Sequence, residues 1–588
     1  MLTARRLYLY GVSAAGLGLL LAGLVSLLRL LFDQLGFEPT GETLITPAID
    51  RTREDLSLAI ALTFVGLPLW LGHTWYTERM VRNGGAAAEV ERRSVLRAVF
   101  FTLALGATLW AGAVSSADVL REGLRNLSGT RLDYYADVAG SLAIAVVALL
   151  AWSYLAWTRA RDVRAGPMTG ASAWISRLEL YGAVLVGAIA ALFALSDLIA
   201  TGLSVAVGRE PLAGGTDWWV APVTASIAQG LVGGLVWVGH WRYAGSLVAP
   251  DHPWVVEERG SRVRVACSMW LIVACVGVVV VALAAAVGSV LAWGLGVAGY
   301  DDPARLIQDV VGPPLSTIPF VVAWWWHRRR AVGEGFAFGG ESRRSSTDRL
   351  VELLVSLVGL AFAGVAAART LGIALDVALG GPSAVLGLEE VWRHDVSQFA
   401  GYAIVATPIW LAAWYRVQTR TAVAPGIEAA STARRAYLVL VGGVTLVAAA
   451  SSLAVILYET IRVVVGLEAV SLGSDLSGPL GVLVVAIALL GYHAGVLRGD
   501  LRVRAGAEAE AREPAGAVAG LVGAGRAEVL APPVLGVPVG VETTAAPIEA
   551  TEEVEIVGPA GADFEALNAA LRAGLPAGFS LRIRGVHG

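Results

Sequence analysis

Long apolar runs separated by short polar stretches fill most of the chain, with 11–28, 99–114, 141–157, 180–195, 269–293 and 437–457 standing out. Each suits a helix across a bilayer, because roughly 20 apolar residues at about 1.5 Å rise cover the hydrocarbon core. The runs are periodic. One helix ends in Trp70-Leu71-Gly72-His73, and the pattern returns about every 85 residues. Trp237-Val238-Gly239-His240 is a near copy, and Trp324-Trp325-Trp326-His327 keeps the spacing. Leu490-Gly491-Tyr492-His493 keeps the histidine, while Trp152 and Trp410 keep the tryptophan with Leu155 and Ala413 in the histidine position. A fixed period marks copies of one unit, and each unit reads as a helical hairpin. Its first helix begins beside arginine, as in Arg6-Leu7-Tyr8-Leu9-Tyr10-Gly11 and its match Arg177-Leu178-Glu179-Leu180-Tyr181-Gly182. The second helix carries the Trp/His signature and ends in further arginines. The hairpins fall at 4–82, 92–164, 176–247, 261–332, 348–420 and 434–502. The expected fold is an all-α polytopic membrane protein, about 12 transmembrane helices as six tandem parallel hairpin repeats.

Composition agrees. Of 588 residues 56% are hydrophobic and 16% charged, with a mean hydropathy of +0.66, whereas soluble domains are about a quarter charged. The segments between hairpins hold most of the arginine, and the loops inside them are acidic on balance. Every hairpin therefore votes for the same topology under the positive-inside rule, with both termini cytoplasmic in a bacterial inner membrane. An arginine-rich cytoplasmic face is suited to anionic lipid. The net charge of −4 gives no reason to expect nucleic acid. Arg5 and Arg6 before an apolar run resemble a signal peptide, but the run is too long and leads into Arg29 and Asp33, so it reads as a retained first span. Cys267 and Cys275 lie on one helix about 12 Å apart, too far for a disulfide, and no cysteine-based metal or redox site is expected.

After residue 504 the pattern changes. Residues 505–550 have the composition of a disordered linker, and 554–588 read as a small β-α-β-like appendage suited to a protein partner.

Two sets of residues are candidates for chemistry. His73, His240, His327 and His493 share one position at the cytoplasmic end of second helices. Imidazoles at one depth can ligate haem or relay protons. The stronger reading makes them amphipathic anchors in the interfacial aromatic belt, since two of six units lack the histidine. Asp33, Asp118 and Asp197 lie towards the outer ends of first helices, and Arg369 is the deepest ionisable residue; such residues can mark a transport route. Near the interface they are solvated or snorkel, which is the preferred reading for the carboxylates. Pro68, Pro408 and Pro319 predict kinks, and Gly230, Gly233 and Gly234 predict close helix packing. No Walker A loop, His-Glu-x-x-His, Gly-x-Ser-x-Gly or Cys-x-x-Cys occurs in a suitable setting, so no enzymatic activity and no cofactor are expected.

The unit Arg-x-x-Tyr-x-Tyr/Gly followed by an apolar helix, paired with a second helix ending in Trp-x-x-His, resembles the tandem multi-spanning bacterial membrane proteins built from a domain of unknown function, number 5671. The resemblance covers about residues 4–502 and is best in the first and third hairpins. It implies architecture and location and carries over no catalytic residue. The expected function is a non-enzymatic scaffold, sensor or assembly factor. A transporter or channel is the alternative, and a haem- or quinone-linked redox protein the minor one.

Overall fold

The computed structural model describes residues 2–37, 48–129, 135–166, 170–208, 217–249, 252, 255–300, 302–334, 343–379, 389–465 and 472–521. Two compact units divide the chain at Pro514, and the first, Met1–Pro514, is treated below. In chain order its helices are α1 (Leu2–Phe32), which closes in a π-helical turn at Asp33–Phe37, α2 (Ala48–Arg82), α3 (Gly85–Arg92), α4 (Val95–Leu127) and α5 (Tyr135–Ala165). There follow α6 (Gly170–Ala206), α7 (Val220–Ser246), α8 (Val255–Arg259), α9 (Arg262–Gly294), α10 (Pro303–Ser316) and α11 (Ile318–Glu334). The chain continues through α12 (Arg343–Ala378), α13 (Glu389–Val423), α14 (Pro425–Ala430), α15 (Thr432–Val464) and α16 (Leu472–Leu521).

Among the described residues, 12 helices are long and apolar enough to cross a membrane, and the protein is an all-α, multi-pass membrane protein. The eighth span is α10 and α11 together, interrupted at Thr317 where Pro313, Pro314 and Pro319 withdraw backbone donors. Pro68 and Pro408 sit inside unbroken α2 and α13. α16 continues past residue 505 to Leu521, through a stretch rich in Ala and Glu, which favour helix. The remainder of the expected linker and the β-α-β-like appendage lie outside the described residues.

The hairpins form an open row. Each first helix packs on its own second helix and, for all but α15, on the first and second helices of the next hairpin. Thus α1 meets α4 and α5, α4 meets α6 and α7, α6 meets α9 and the α10–α11 span, and α9 meets α12 and α13. α12 meets α15, and its Gly372 lies against Gly478 of α16.

The hairpins alternate between two kinds. In the odd ones a glycine ten residues after the leading arginine (Gly16, Gly187, Gly359) faces the signature tryptophan, and a Cβ there would lie 2.6 to 2.7 Å from the backbone nitrogen of Trp70, Trp237 or Trp410. Lipid gives no hydrophobic drive between helices, so such backbone approach supplies the packing. The even hairpins have Ala107, Ala274 and Val444 at that position. The natural unit is therefore a pair of hairpins of roughly 170 residues, repeated three times.

Candidate functional site

The short helices α3, α8 and α14 each join an odd hairpin to an even one, and each leads into the same motif. Glu91-x-x-Ser94-x-x-Arg97, Glu258-x-x-Ser261-x-x-Arg264 and Glu428-x-x-Ser431-x-x-Arg434 occupy equivalent places in the three units. The serine is the N-cap of α4, α9 or α15, with extended backbone in all three. Ser261 and Ser431 accept from the backbone N–H of Arg264 and Arg434 at 3.4 Å. Capping satisfies one of the donors a helix leaves open, and it fixes the arginine one turn inside the helix.

The glutamate reaches back to the first helix of the odd hairpin. Arg6 Nε donates to Glu91 at 2.8 Å and the Tyr10 hydroxyl donates to its other oxygen at 2.8 Å. Arg177 and Tyr181 repeat this on Glu258 at 2.8 and 2.5 Å. Arg349 repeats it on Glu428 at 2.8 to 3.1 Å, with Leu353 in the tyrosine position.

The motif arginine reaches the other way. Arg97 donates to Asp162 of α5 at 2.6 and 2.9 Å and to Glu78 of α2 at 2.5 Å. Arg264 donates to Glu334 of α11 at 2.8 and 2.9 Å and to the Ala244 carbonyl and the Tyr181 hydroxyl. Arg434 donates to Asp500 of α16 at 2.7 Å and to Gln418 of α13 at 3.1 Å. All three arginines are 0 to 1% exposed. A charge taken from water is tolerated only when paired and hydrogen-bonded. Here each pair ties the even hairpin internally and, through the glutamate, to the odd hairpin before it. Aromatic faces cover the guanidinium groups: Phe101 lies 4.9 Å from that of Arg97, Trp241 5.5 Å from Arg264 and Trp414 5.6 Å from Arg434.

The four histidines are split by hairpin parity. His73 and His240 are half-buried, and their Nδ1 atoms donate to the carbonyls of Leu69 and Val236 at 2.8 Å. His327 and His493 are 2% and 1% exposed. His327 packs on Trp237 and Trp241 at 5.8 and 4.9 Å between ring centroids, and neither ring nitrogen has a protein partner. His493 lies against Trp414 and donates from Nδ1 to the Leu489 carbonyl. Leu155, 2% exposed, fills the equivalent slot in the first unit. The acid partners Asp162, Glu334 and Asp500 stand seven residues beyond this slot, two helical turns on the same face. Among the described residues no group of three or more His, Cys, Asp or Glu is arranged to hold a metal ion.

Arg369, Asp118 and Asp197 lie at the opposite end of the bundle. Each follows the leading or motif arginine of its helix by 20 or 21 residues, about 30 Å along the axis and thus the thickness of a hydrocarbon core. Arg369 is exposed, with its guanidinium 5.4 Å from the ring centre of Phe399. Asp118 pairs with Arg121 at 3.2 Å, Asp197 is exposed, and Asp33 lies in the π-helical turn. No ion pair joins Arg369 to Asp33, Asp118 or Asp197 among the described residues.

A lateral groove of about 500 Å³ opens between α4, α6 and α7. It is lined largely by small and aliphatic residues, with Glu179 near the arginine clusters, Gln229 further along, and Asp118 with Arg121 at the far end. The equivalent junction between α9 and α13 is tight: Gly401 lies against Ala284 and Gly288 so closely that it has no room for a side chain, and a Cβ on Gly288 would meet the Gln398 side chain at 3.0 Å.

The motif residues were absent from the sequence-based candidates. Their signal was available, since Glu-x-x-Ser-x-x-Arg recurs three times at the hairpin pairs, but the arginines were read as topology determinants. A family model for a domain of unknown function, DUF5671, matches residues 6–137, 210–318 and 349–488. The first and third matches begin at the equivalent arginines, Arg6 and Arg349. Comparison with curated proteins and with solved structures gave no match.

Proposed function

The chain belongs to the family defined by this domain of unknown function, and we propose that it works as a non-enzymatic scaffold, sensor or assembly factor of the bacterial inner membrane. In this reading the arginine-rich end faces the cytoplasm with both termini, as the loop charges favour. That end meets anionic lipid, and the segment beyond 504 meets a protein partner. The observation that carries it is the internal pairing of the three buried arginines. The best-buried ionisable groups are spent on holding hairpins together. Pull-down with the full-length chain and with a chain ending at 504 tests the tail: a reproducible partner lost on truncation supports the reading, and retention of every partner counts against it. In nanodiscs, anionic lipid should raise the melting temperature over zwitterionic lipid alone; equal values would remove the lipid role.

The groove between α4, α6 and α7 favours a second reading, transport. Asp118 lines the groove and Arg369 is not among its lining residues. Transport requires that Asp118→Asn or Glu179→Gln lowers flux through proteoliposomes at constant protein level. The haem reading stands or falls on colour, because a purified protein without a Soret band excludes it.

A further inference from the structure

The row of hairpins is open at both ends, and its two ends are the two halves of a junction that the chain already makes twice internally. At that junction the first helix of an even hairpin receives the following odd hairpin: α4 receives α6 and α7, and α9 receives α12 and α13. α15 is the third such helix, and among the described residues no odd hairpin packs on it in this way. α2, the equivalent of α7 and α13, has no even hairpin packed against it among the described residues. No contact of comparable extent joins α15 to α1 or α2 among the described residues, so the row does not close on itself. Burial reports the vacancy. In the most apolar stretch 44% of residues are buried in α4 and in α9, against 17% in α15, and 28% and 22% in α7 and α13, against 11% in α2.

The residues at the vacant faces keep the junction's character. Counting back from the Trp/His signature, the position that approaches the preceding hairpin is Ala143, Ala228, Gly401 or Gly481, and all four are buried. In α2 it is Ala61, which is exposed. On the receiving helix, Ala284 of α9 meets Gly401, and its equivalent in α15, Ala454, is exposed. One turn further on, α15 has Tyr458 where α9 has Gly288 and α4 has Arg121; the α4 junction shows that a large residue there is compatible with packing. The polar links at the arginine-rich end do not recur. Arg159 donates to Ser176 and Arg328 pairs with Asp348 at 2.8 Å across the internal junctions, whereas α16 has Leu497 and Ala494 at those positions.

We propose that α15 of one copy receives the α1–α2 hairpin of a second copy, extending the row head to tail between molecules. Such a contact is heterologous, so every copy keeps one free half and the assembly grows into strings or larger rings in the membrane plane. Without the polar links it is the weaker, reversible version of the internal junction.

The test is cysteine cross-linking of the full-length chain in membranes. Ala61→Cys combined with Ala454→Cys should give an oxidant-dependent ladder of dimers, trimers and larger species on non-reducing gels. Each single variant alone should remain monomeric, and a co-expressed mixture of the two singles should stop at dimers. Cys267 and Cys275 are buried, and the unsubstituted chain is expected to give no cross-link. A double variant that stays monomeric at unchanged mobility overturns the proposal. So does a faster-migrating monomer, which means that the row closes within one chain. Dimers from Ala61→Cys alone would also overturn it, because the contact would then be isologous.

Discussion

Arg97→Met removes the charge of the first cluster while keeping much of the side-chain volume. It takes away two bonds to Asp162, one to Glu78 and one to the Tyr10 hydroxyl. Glu78 retains Arg161 as a partner, but Asp162, with a side chain 1% exposed, keeps that arginine only at 3.8 Å. Breaking a buried pair by removing one member costs about 3–5 kcal/mol, chiefly as the penalty of the charge left behind. At about 2–4 °C per kcal/mol for a domain of 150–250 residues, the melting temperature of the purified protein in nanodiscs should fall by roughly 6–20 °C. Adding Asp162→Leu removes the stranded carboxylate, so the double variant should melt above the single one, with a coupling of at least about 1 kcal/mol. The control is Glu89→Ala. Its i,i+4 partner is Arg93 at 2.6 Å, the two side chains are 49% and 38% exposed, and loss of such a pair costs about 0–1 kcal/mol. Melting of Arg97→Met within about 2 °C of wild type, an estimate set against that same scale, would refute the structural role of the cluster. A double variant less stable than the single one would refute its attribution to Asp162.

Three further outcomes follow from the packing. Gly359→Val should destabilise by about 1–3 kcal/mol through overpacking against Trp410, whereas Gly443→Val, with open space around it, should leave the melting temperature nearly unchanged. His327→Leu should melt at or above wild type, because Leu155 fills the equivalent slot and the histidine nitrogens lack partners; a large loss of stability would point to a bound group at the imidazole. Leu353→Tyr should raise stability by about 0.5–1.5 kcal/mol, since it places a hydroxyl near Arg434 Nη1 where Tyr181 serves Arg264; a fall would show that the apolar surroundings of Leu353 reject the larger ring.

The helices were legible because apolar length is nearly sufficient to define a span, and the recurring tryptophan marked the hairpins. The alternation of hairpins was hidden, since Trp70 and Trp152 look alike in sequence. Only the glycine on the facing helix (Gly16 in the one case, Ala107 in the other) distinguishes the close pair from the looser one. The histidines looked like one set for the same reason. In space His240 is half-buried and His327 fully buried, because burial depends on the neighbouring helix and not on the local pattern. Arg97, Arg264 and Arg434 fall in the arginine-rich segments between hairpins, where the sequence signals only topology. Arginine within one turn of a span end is ordinarily solvated, and its burial becomes apparent only when Asp162, Glu334 and Asp500, some 65 to 70 residues away, fold back onto it.

The central claim is that three equivalent units run parallel, each with its arginine cluster on the same side. Single cysteines at Ala87, Glu257 and Gly426, exposed positions in α3, α8 and α14, test it directly when treated with a membrane-impermeant maleimide. All three should label in inside-out vesicles and none in intact spheroplasts. Labelling of one or two of them from the outer side would contradict the parallel three-unit architecture, and labelling of all three from there would overturn the cytoplasmic placement instead.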